Sequence, residues 1–282
     1  METINQQVFT GERALFKARN ISISQSVFEA GESPLKESKD IKLNHDIFRW
    51  KYPLWYAQNI EASNLTLTES ARSGIWYTHT ISIKDSIIAA PKTFRRSSQI
   101  TLDNVQIPHG LETLWHCKDI VLNNVNAVGD YFAMNSENMT VHNFSINGNY
   151  SFDGAKNVHI KDAQIISKDA FWNCEDVIVE DSTIIGEYLG WNSKNITFKN
   201  CFIESEQGLC YMDNVKLIDC VITHTDLAFE YSRVDATIKS TVDSVKNPLS
   251  GIIRSYGIDT LITDDETLNP NDTEYITQGE TI

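Results

Sequence analysis

Long hydrophobic runs are missing from this sequence of 282 residues, and none approaches the roughly 20 apolar residues that cross a bilayer. Basic residues are also scarce: 24 Lys and Arg stand against 38 Asp and Glu, the net charge is −14, and no basic block extends beyond Arg95–Arg96. Because nucleic acids and anionic membranes attract the opposite charge, we expect neither as a partner. The first residues have neither the basic nor the apolar segment of a secretion signal, which predicts a cytoplasmic protein.

Metal-binding patterns are absent as well. The chain has five Cys and seven His, but no two Cys have CxxC spacing and no two His have the spacing of ligands on one helix face. An odd number of Cys in a protein without a secretion signal predicts reduced thiols in the core. We therefore expect no metal site and no cofactor.

What the sequence does contain is a repeat. Phrases such as Ile100–Ile107 and Val177–Ile184 alternate apolar and polar residues, the pattern of a strand with one buried face. Successive copies begin 19 to 21 residues apart, which leaves room for three short strands and three turns. One copy cannot bury its apolar side alone, so neighbouring copies must stack on one another. The copies begin at Ile21, Ile41, Ile60, Ile81, Ile100, Ile120, Met139, Val158, Val177, Ile196, Val215 and Val234.

Two positions of the repeat hold mostly Asn and Asp. These residues tolerate left-handed backbone angles and hydrogen-bond to their own turn, so they predict the corners of a coil rather than metal or catalytic sites. Stacked Asn side chains can also hydrogen-bond to one another along such a column. The position inside each phrase contains Gln25, His45, Asn64, Asp85, Asn104, Asn124, Asn143, Asp162, Asp181, Asn200 and Asp219. The position before each phrase contains Asn20, Asp40, Asn59, Thr80, Gln99, Asp119, Asn138, Asn157, Asp176, Asn195 and Asn214.

These patterns predict an all-β fold, a right-handed single-stranded parallel β-helix of about twelve rungs, where a rung is one turn of the coil. The corner columns resemble those of right-handed, pectate-lyase-like helices, and the hexapeptide pattern of left-handed ones is absent. We expect a single domain over residues 1–262, with a partial first rung at 1–19, regular rungs at 20–243 and cap strands at 244–262. The tail at 263–282 carries six acids and no Lys or Arg, so we expect it to be loose.

The second half of each rung is rich in aromatic residues, as in Trp50–Tyr56, Arg72–Tyr77 and Gly186–Trp191. On these phrases the chain resembles, over nearly its whole length, an uncharacterised bacterial family of single-stranded right-handed parallel β-helix proteins of the pectate-lyase-like superfamily. The resemblance implies the fold and no particular activity.

Two adjacent columns of these phrases are both apolar. Neighbours in an extended strand point to opposite faces, so only one column can line the interior. Small residues two positions after the tryptophans, such as Cys117 and Ser193, favour the tryptophans inside. The other column then forms an outward apolar stripe, unless the chain bends there. The first column contains Leu54, Ile75, Leu114, Ala133, Phe152, Phe171 and Leu209, and the second contains Trp55, Trp76, Trp115, Met134, Trp172, Trp191 and Phe229.

Charged and aromatic residues run beside these columns. Rings flanked by carboxylates and guanidinium groups suit sugar binding, although opposite charges on adjacent rungs can also simply pair, at under about 1 kcal/mol per pair. Asp153 is unusual because a carboxylate in the tryptophan column must be paired or protonated. As catalytic residues we predict Arg72, Arg95, Glu112, Asp130 and Asp153. As substrate-binding residues we predict Tyr52, Lys92, His116, Tyr131, Tyr150, Lys168 and Tyr188.

Two functions are compatible with this pattern. The first is a carbohydrate-active protein, a lyase or a glycoside hydrolase, whose oligosaccharide lies along the charged edge. The paired carboxylates of glycoside hydrolysis lie about 5–9.5 Å apart, and acids on nearby rungs such as Glu112 and Asp130 can satisfy that. The alternative is a non-catalytic binding or assembly module that uses the outward stripe to hold a partner chain or a second copy of itself, as a homo-oligomer.

Overall fold

The computed structural model describes residues 1–278, and in that range the chain contains no α-helix. Its helical segments there are two short 3-10 turns, Glu69–Ala71 and Pro270–Asp272. The strands pair in parallel, so the all-β parallel β-helix predicted from the repeat is confirmed. No helix in this part of the chain is long and apolar enough to cross a membrane.

The chain divides into two compact units, unit 1 (Met1–Ser145) and unit 2 (Ile146–Ile282). The strands that begin in unit 1 are β1 (Glu2–Asn5), β2 (Val8–Phe9), β3 (Arg19–Ser24), β4 (Val27–Phe28), β5 (Lys39–Asn44), β6 (Ile47–Phe48), β7 (Gln58–Ser63), β8 (Thr66–Leu67), β9 (Ile75–Trp76), β10 (His79–Ile88), β11 (Phe94–Arg95), β12 (Ser98–Ile107), β13 (Lys118–Val128) and β14 (Glu137–Asn147). The strands that begin in unit 2 are β15 (Lys156–Ile166), β16 (Glu175–Glu180), β17 (Thr183–Ile185), β18 (Lys194–Lys199), β19 (Phe202–Glu204), β20 (Asp213–Thr223), β21 (Arg233–Ile238), β22 (Thr241–Lys246), β23 (Ser250–Ser255), β24 (Gly257–Ile262) and β25 (Thr273–Thr277).

Within residues 1–278 the two units together contain about fifteen turns, more than the twelve predicted. The additional turns carry the strands β1, β23 and β25, whose sequences depart from the repeated phrase. β1 pairs with β3 on one side, β23 pairs with β21 and β25 pairs with β23. The count of twelve left these turns out because it counted copies of the phrase; β1 and β23 lie in the segments expected as a partial first rung and as cap strands, and β25 lies in the tail that was expected to be loose.

Equivalent residues of the repeat stack in register within each unit. In unit 1, Ile81 lies beside Ile60 on one neighbouring strand and Ile100 on the other. In unit 2, Val177 lies in the same way between Val158 and Ile196. These side chains are at most 2% exposed, so the apolar positions of the phrase line the interior as the alternation predicts.

The polar columns form the corners. Every residue of both columns has a left-handed φ, for example +54° at Asn104 in unit 1 and +51° at Asp181 in unit 2, which confirms the predicted corners. Their side chains also hydrogen-bond between rungs: Asn124 Nδ2 donates to Asn104 Oδ1 over 2.9 Å, and Asn200 Nδ2 donates to Asp181 Oδ1 over 2.7 Å. Each such bond satisfies an amide that would otherwise rely on water.

The orientation predicted for the two apolar columns is wrong. The Leu/Phe column is the inner one, with Leu54, Leu114 and Phe171 all 0% exposed. The tryptophans lie outside that core and are partly exposed, as at Trp76 and Trp172. The outward apolar stripe predicted from the sequence therefore does not exist.

Backbone conformation explains the reversal. Leu114 and His116 both have left-handed φ angles, +61° and +52°, so the strict alternation of an extended strand does not apply between them. As a result Leu114 and Cys117 point inward while Trp115 between them points outward. Phe229 is likewise 0% exposed and left-handed, and belongs to the inner column rather than the tryptophan column.

The acidic tail is not loose where the structure describes it. β25 pairs in parallel with β23, which places Tyr275 beside Ile253. Tyr275 is only 6% exposed, and burial of this ring holds the segment against the coil. The last four residues, 279–282, lie outside the described residues. The single domain expected over residues 1–262 stays a prediction.

Candidate functional site

The three tryptophans of unit 1 that belong to the tryptophan column, Trp55, Trp76 and Trp115, have fixed orientations. Each indole Nε1 donates a hydrogen bond to a backbone carbonyl of the next rung, so each ring is held in one position while part of its edge stays exposed. The pairs are Trp55 with Ser73 (2.5 Å), Trp76 with Lys92 (2.8 Å) and Trp115 with Tyr131 (2.6 Å).

Neighbouring rings in unit 1 stack along the coil. Trp55 and Trp76 are nearly parallel, at 8°, with centroids 5.2 Å apart, and Tyr56 and Tyr77 beside them are 4.8 Å apart. Tyr52, a predicted substrate-binding residue, lies against Trp55 at 4.5 Å. Because stacked rings cover each other's faces, the surface that this edge presents to solvent consists mainly of ring edges.

Arg95 interrupts the tryptophan column of unit 1. Its guanidinium carbon is 4.6 Å from the ring centroids of both Trp76 and Trp115, a cation between two indoles. Arg95 Nη2 donates to Glu112 Oε2 over 3.0 Å, and Lys92 Nζ lies 3.0 Å from the same oxygen. We call these five residues the Arg95 cluster. The structure thus brings together three of the predicted site residues, Lys92, Arg95 and Glu112.

The cluster carries more positive than negative charge. Lys92 and Arg95 share the single carboxylate of Glu112. Arg72 and Arg96 are exposed, and within residues 1–278 neither has an ion-pair partner. Arg95 Nε is buried and has no hydrogen-bond partner in the same range. Around Glu112 the cationic groups therefore outnumber the carboxylate that pairs with them.

The remaining predicted residues of unit 1 lie around the cluster. Tyr131 meets Trp115 edge-on, with centroids 6.3 Å apart at 84°. The backbone carbonyl of Asp130 accepts a hydrogen bond from the Glu112 amide over 2.9 Å. His116 follows Trp115 in the chain and its side chain is exposed.

Unit 2 carries its own outward tryptophans. Trp172 and Trp191 stack at 5.7 Å and 6°, and Trp172 Nε1 donates to the carbonyl of Tyr188 over 2.6 Å. The predicted substrate-binding residues Lys168 and Tyr188 contact each other, with Lys168 Nζ 5.2 Å from the Tyr188 ring centroid. Lys168 also pairs with Glu187 over 3.0 Å. This lysine is therefore neutralised locally.

Asp153 takes the place of a ring in the tryptophan column of unit 2. Its Oδ1 accepts a hydrogen bond from Asn173 Nδ2 over 2.8 Å, which is the pairing that an acid at this position needs. Tyr150 meets Trp172 edge-on, with centroids 6.2 Å apart at 86°. Tyr150, Asp153, Asp169 and Trp172 are called the Asp153 site below.

Asp169 was missed by the sequence analysis. It is 2% exposed, its carboxylate accepts a hydrogen bond from Tyr150, and its Oδ1 has no partner among residues 1–278. Burial raises the pKa of the Asp169 carboxyl, and the negative charges of Glu187 and Asp153 raise it further, against the lowering effect of Lys168 and Tyr150. The available signal was its register, because Asp169 stands between Tyr150 and Tyr188 in one column.

The other reactive groups are buried or dispersed. All five cysteines are free and buried, and burial raises the pKa of Cys117 to about 12, so it is an inert core thiol. Throughout the described part of the chain, no three His, Cys, Asp or Glu side chains are grouped so that they can hold a metal ion.

Several solved structures are similar to this chain. The A-module of mannuronan C-5 epimerase AlgE6 from Azotobacter vinelandii is 11% identical, with a TM-score of 0.47 over 94% of this chain and 91% of that chain. The Streptococcus pneumoniae surface protein and adhesin PfbA is 10% identical, with a TM-score of 0.36 over 92% and 88%. An exopolygalacturonase from Thermotoga maritima is 6% identical, with a TM-score of 0.31 over 99% and 84%. At these identities and scores the likeness carries no functional argument.

The curated proteins contain no match to this chain. A family model described as a protein of unknown function (DUF3737) matches residues 2–276, nearly the whole sequence. The chain belongs to this family.

Proposed function

We propose that the chain binds an oligosaccharide along the outward aromatic edge of unit 1, with the Arg95 cluster at its centre. The observation that carries the proposal is the position of Arg95, which lies in the tryptophan column between two indoles and beside Glu112. A sugar offers apolar C–H groups and a dense set of hydroxyls. The edge offers aromatic carbon, guanidinium donors and a carboxylate acceptor side by side.

Preorganisation supports the same proposal. Trp76 and Trp115 are fixed by hydrogen bonds to the backbone, and Arg95 is fixed between them. Side chains that are already ordered lose little conformational entropy when a ligand binds, which leaves more of the contact energy as affinity. A flexible surface arginine does not have this advantage.

Neither function can use the outward apolar stripe, and the alternative function depended on that stripe alone. An assembly module was predicted to use an outward stripe that includes Leu114, Phe152 and Phe171, but all three are 0% exposed. Self-association by any other surface stays a prediction, which sedimentation analysis of the full chain tests.

The binding proposal is tested by titration calorimetry of the full chain against a panel of neutral and charged oligosaccharides. We expect Trp76→Ala to weaken binding about tenfold or more, since it removes an indole from the edge and one side of the Arg95 sandwich. Tyr56→Ala is the second variant, because Tyr56 is 45% exposed and its removal leaves the core intact. Val121→Ala, 43% exposed on a strand face of unit 1, is the matched control.

Two results contradict the proposal: wild type that binds no member of the panel, or a loss of affinity as large for Val121→Ala as for Tyr56→Ala. The catalytic roles predicted for Arg72, Arg95, Glu112, Asp130 and Asp153 stay predictions. Product analysis after incubation of the panel with wild type and with Glu112→Gln tests them, and turnover by neither protein rejects them.

A further inference from the structure

Arg95 is held as a rigid, partly exposed donor. Its side chain is 21% exposed, its two faces meet Trp76 and Trp115, and one amino group is directed to Glu112. A guanidinium has five N–H donors, and the hydrogen bond to Glu112 uses one of them. Its planar fork matches the geometry of an oxyanion, which accepts two parallel hydrogen bonds.

The charge around Arg95 is not balanced. The carboxylate of Glu112 is shared by two cations, Lys92 and Arg95. Arg72 lies on the preceding rung, and Arg96 follows Arg95 directly; both are exposed without an ion-pair partner in residues 1–278. Elsewhere on the same edge the pattern differs, as where Lys51 pairs with Glu32 over 2.7 Å.

On a chain of net charge −14, two cations that share one carboxylate, with unpaired arginines on the same rung and on the preceding rung, form a local field of the opposite sign. Aromatic carbon borders this field on one side, at the exposed Tyr56 and the half-buried Tyr77. A ligand that satisfies both features has an apolar, hydroxyl-rich body and an anionic substituent.

We infer that the Arg95 cluster, with Arg72 and Arg96, is an oxyanion subsite, and that the oligosaccharide of the proposed function carries carboxylate or sulfate groups. This inference rests on the proposed function and adds the chemical class of the ligand. A carboxylate and a sulfate present the same shared chemistry, oxygen acceptors with negative charge, so the experiment has one arm for each.

The test uses matched probes that differ in charge. The carboxylate arm compares an oligogalacturonate with its methyl ester, and the sulfate arm compares a sulfated galactan oligosaccharide, which has no carboxylate, with its desulfated form. Titration calorimetry of the full chain is run at about 50 mM and about 300 mM salt, because screening weakens contacts between exposed charges. We expect one charged probe to bind about tenfold or more tightly than its less charged partner, and to lose that advantage at the higher salt.

Variants test whether the preference for the charged probe arises at the proposed subsite. Arg72→Gln/Arg96→Gln removes two exposed charges, so folding is expected to be intact. We expect about a tenfold loss for the charged probe and no change for its less charged partner. Lys84→Gln, which removes an exposed charge from the strand face of unit 1, is the matched control and is expected to change neither.

The outcomes separate the two proposals. Equal binding of both members of each pair overturns the oxyanion subsite and leaves the proposed function standing. Charged binding that the double variant does not alter also overturns the subsite, because the anion is then held elsewhere. Failure of all four probes and of the wider panel overturns the proposed function itself.

Discussion

The tryptophan column is interrupted in both units, but by opposite chemistry. In unit 1 the charged interruption is Arg95, which stacks between two indoles and keeps the column continuous from Trp76 to Trp115. In unit 2 the interruption is Asp153, whose carboxylate accepts a hydrogen bond from Asn173. Within residues 1–278 the structure shows no contact between this carboxylate and the face of an aromatic ring. An indole face is electronegative, so it attracts a guanidinium and does not attract a carboxylate. The same position of the repeat therefore tolerates an acid only when another side chain supplies its hydrogen bond.

The two interruptions also differ in the state of the charges behind them. Around Arg95 the shared carboxylate is 22% exposed and two further cations are unpaired. Around Asp153 the extra acid, Asp169, is buried and connected to Tyr150. The first arrangement presents charge to a ligand, whereas the second keeps charge inside the protein. For this reason the proposed binding edge is placed in unit 1.

The largest expected effect is a loss of stability on truncation of the inner Leu/Phe column, which tests whether a packed core lies behind both Arg95 and Asp153. Leu114→Ala, behind the Arg95 cluster, is expected to lower the free energy of unfolding by about 2–5 kcal/mol, and Phe171→Ala, behind the Asp153 site, by about 3–5 kcal/mol. Both side chains are 0% exposed, so truncation leaves a cavity. Urea unfolding followed by circular dichroism measures the losses.

The controls are truncations of exposed apolar residues in the same units. Val121→Ala and Ile178→Ala remove side chains that are 43% and 45% exposed, and we expect changes within about 0.5 kcal/mol. Losses for Leu114→Ala and Phe171→Ala no larger than these would show that the Leu/Phe column is not the inner one, and the comparison of the two sites would lose its basis.

The distinction between inner and outer columns also marks how far the sequence could predict this molecule. The inward direction of the apolar positions in the repeated phrase, such as Ile81 and Val177, was predicted correctly, since side-chain direction alternates wherever the backbone is extended. The tryptophan column could not be oriented in this way. Leu114 and His116 adopt left-handed angles that their residue types do not demand, and each reverses the alternation.

The candidate site shows a similar boundary. The sequence register alone aligns Arg95 with Trp76 and Trp115, so the interruption was visible. Lys92 and Arg95 both contact one oxygen of Glu112. This contact depends on the distances between columns, and the length of the repeat alone does not predict those distances. Asp169 was missed for another reason: its importance lies in its burial, and acids are normally exposed at such a position.

An intermediate effect separates the two interruptions directly. Arg95→Ala removes both cation–π contacts and an ion pair, and we expect it to lower the free energy of unfolding by about 1–3 kcal/mol. Asp153→Ala removes one hydrogen bond from a partly exposed acid, and we expect a loss below about 1 kcal/mol. Arg95→Trp restores a ring to the column and is expected to recover most of the Arg95→Ala loss.

Thermal unfolding of these variants, measured at one pH and salt concentration, ranks them. If Arg95→Ala is no more destabilising than Asp153→Ala, the stacked guanidinium does not support the column. A tryptophan variant less stable than the alanine variant would argue against a continuous ring stack as the preferred filling of this position.

The smallest expected effect is the pH dependence contributed by Asp169. Its folded-state pKa is raised above the unfolded value, chiefly by burial, so the folded state holds this proton more tightly than the unfolded state does. The stabilisation is then fully present below the unfolded pKa and is lost as pH rises toward the raised folded pKa. The groups that face this carboxyl are Tyr150, Lys168, Glu187 and Asp153, and none of them reverses that direction. We expect the melting temperature of wild type, relative to that of Asp169→Asn, to fall as pH rises through this window. Tyr150→Phe removes the hydrogen bond that lowers the pKa, so it should shift the fall to higher pH, whereas a purely structural role for Asp169 predicts parallel curves for all three proteins.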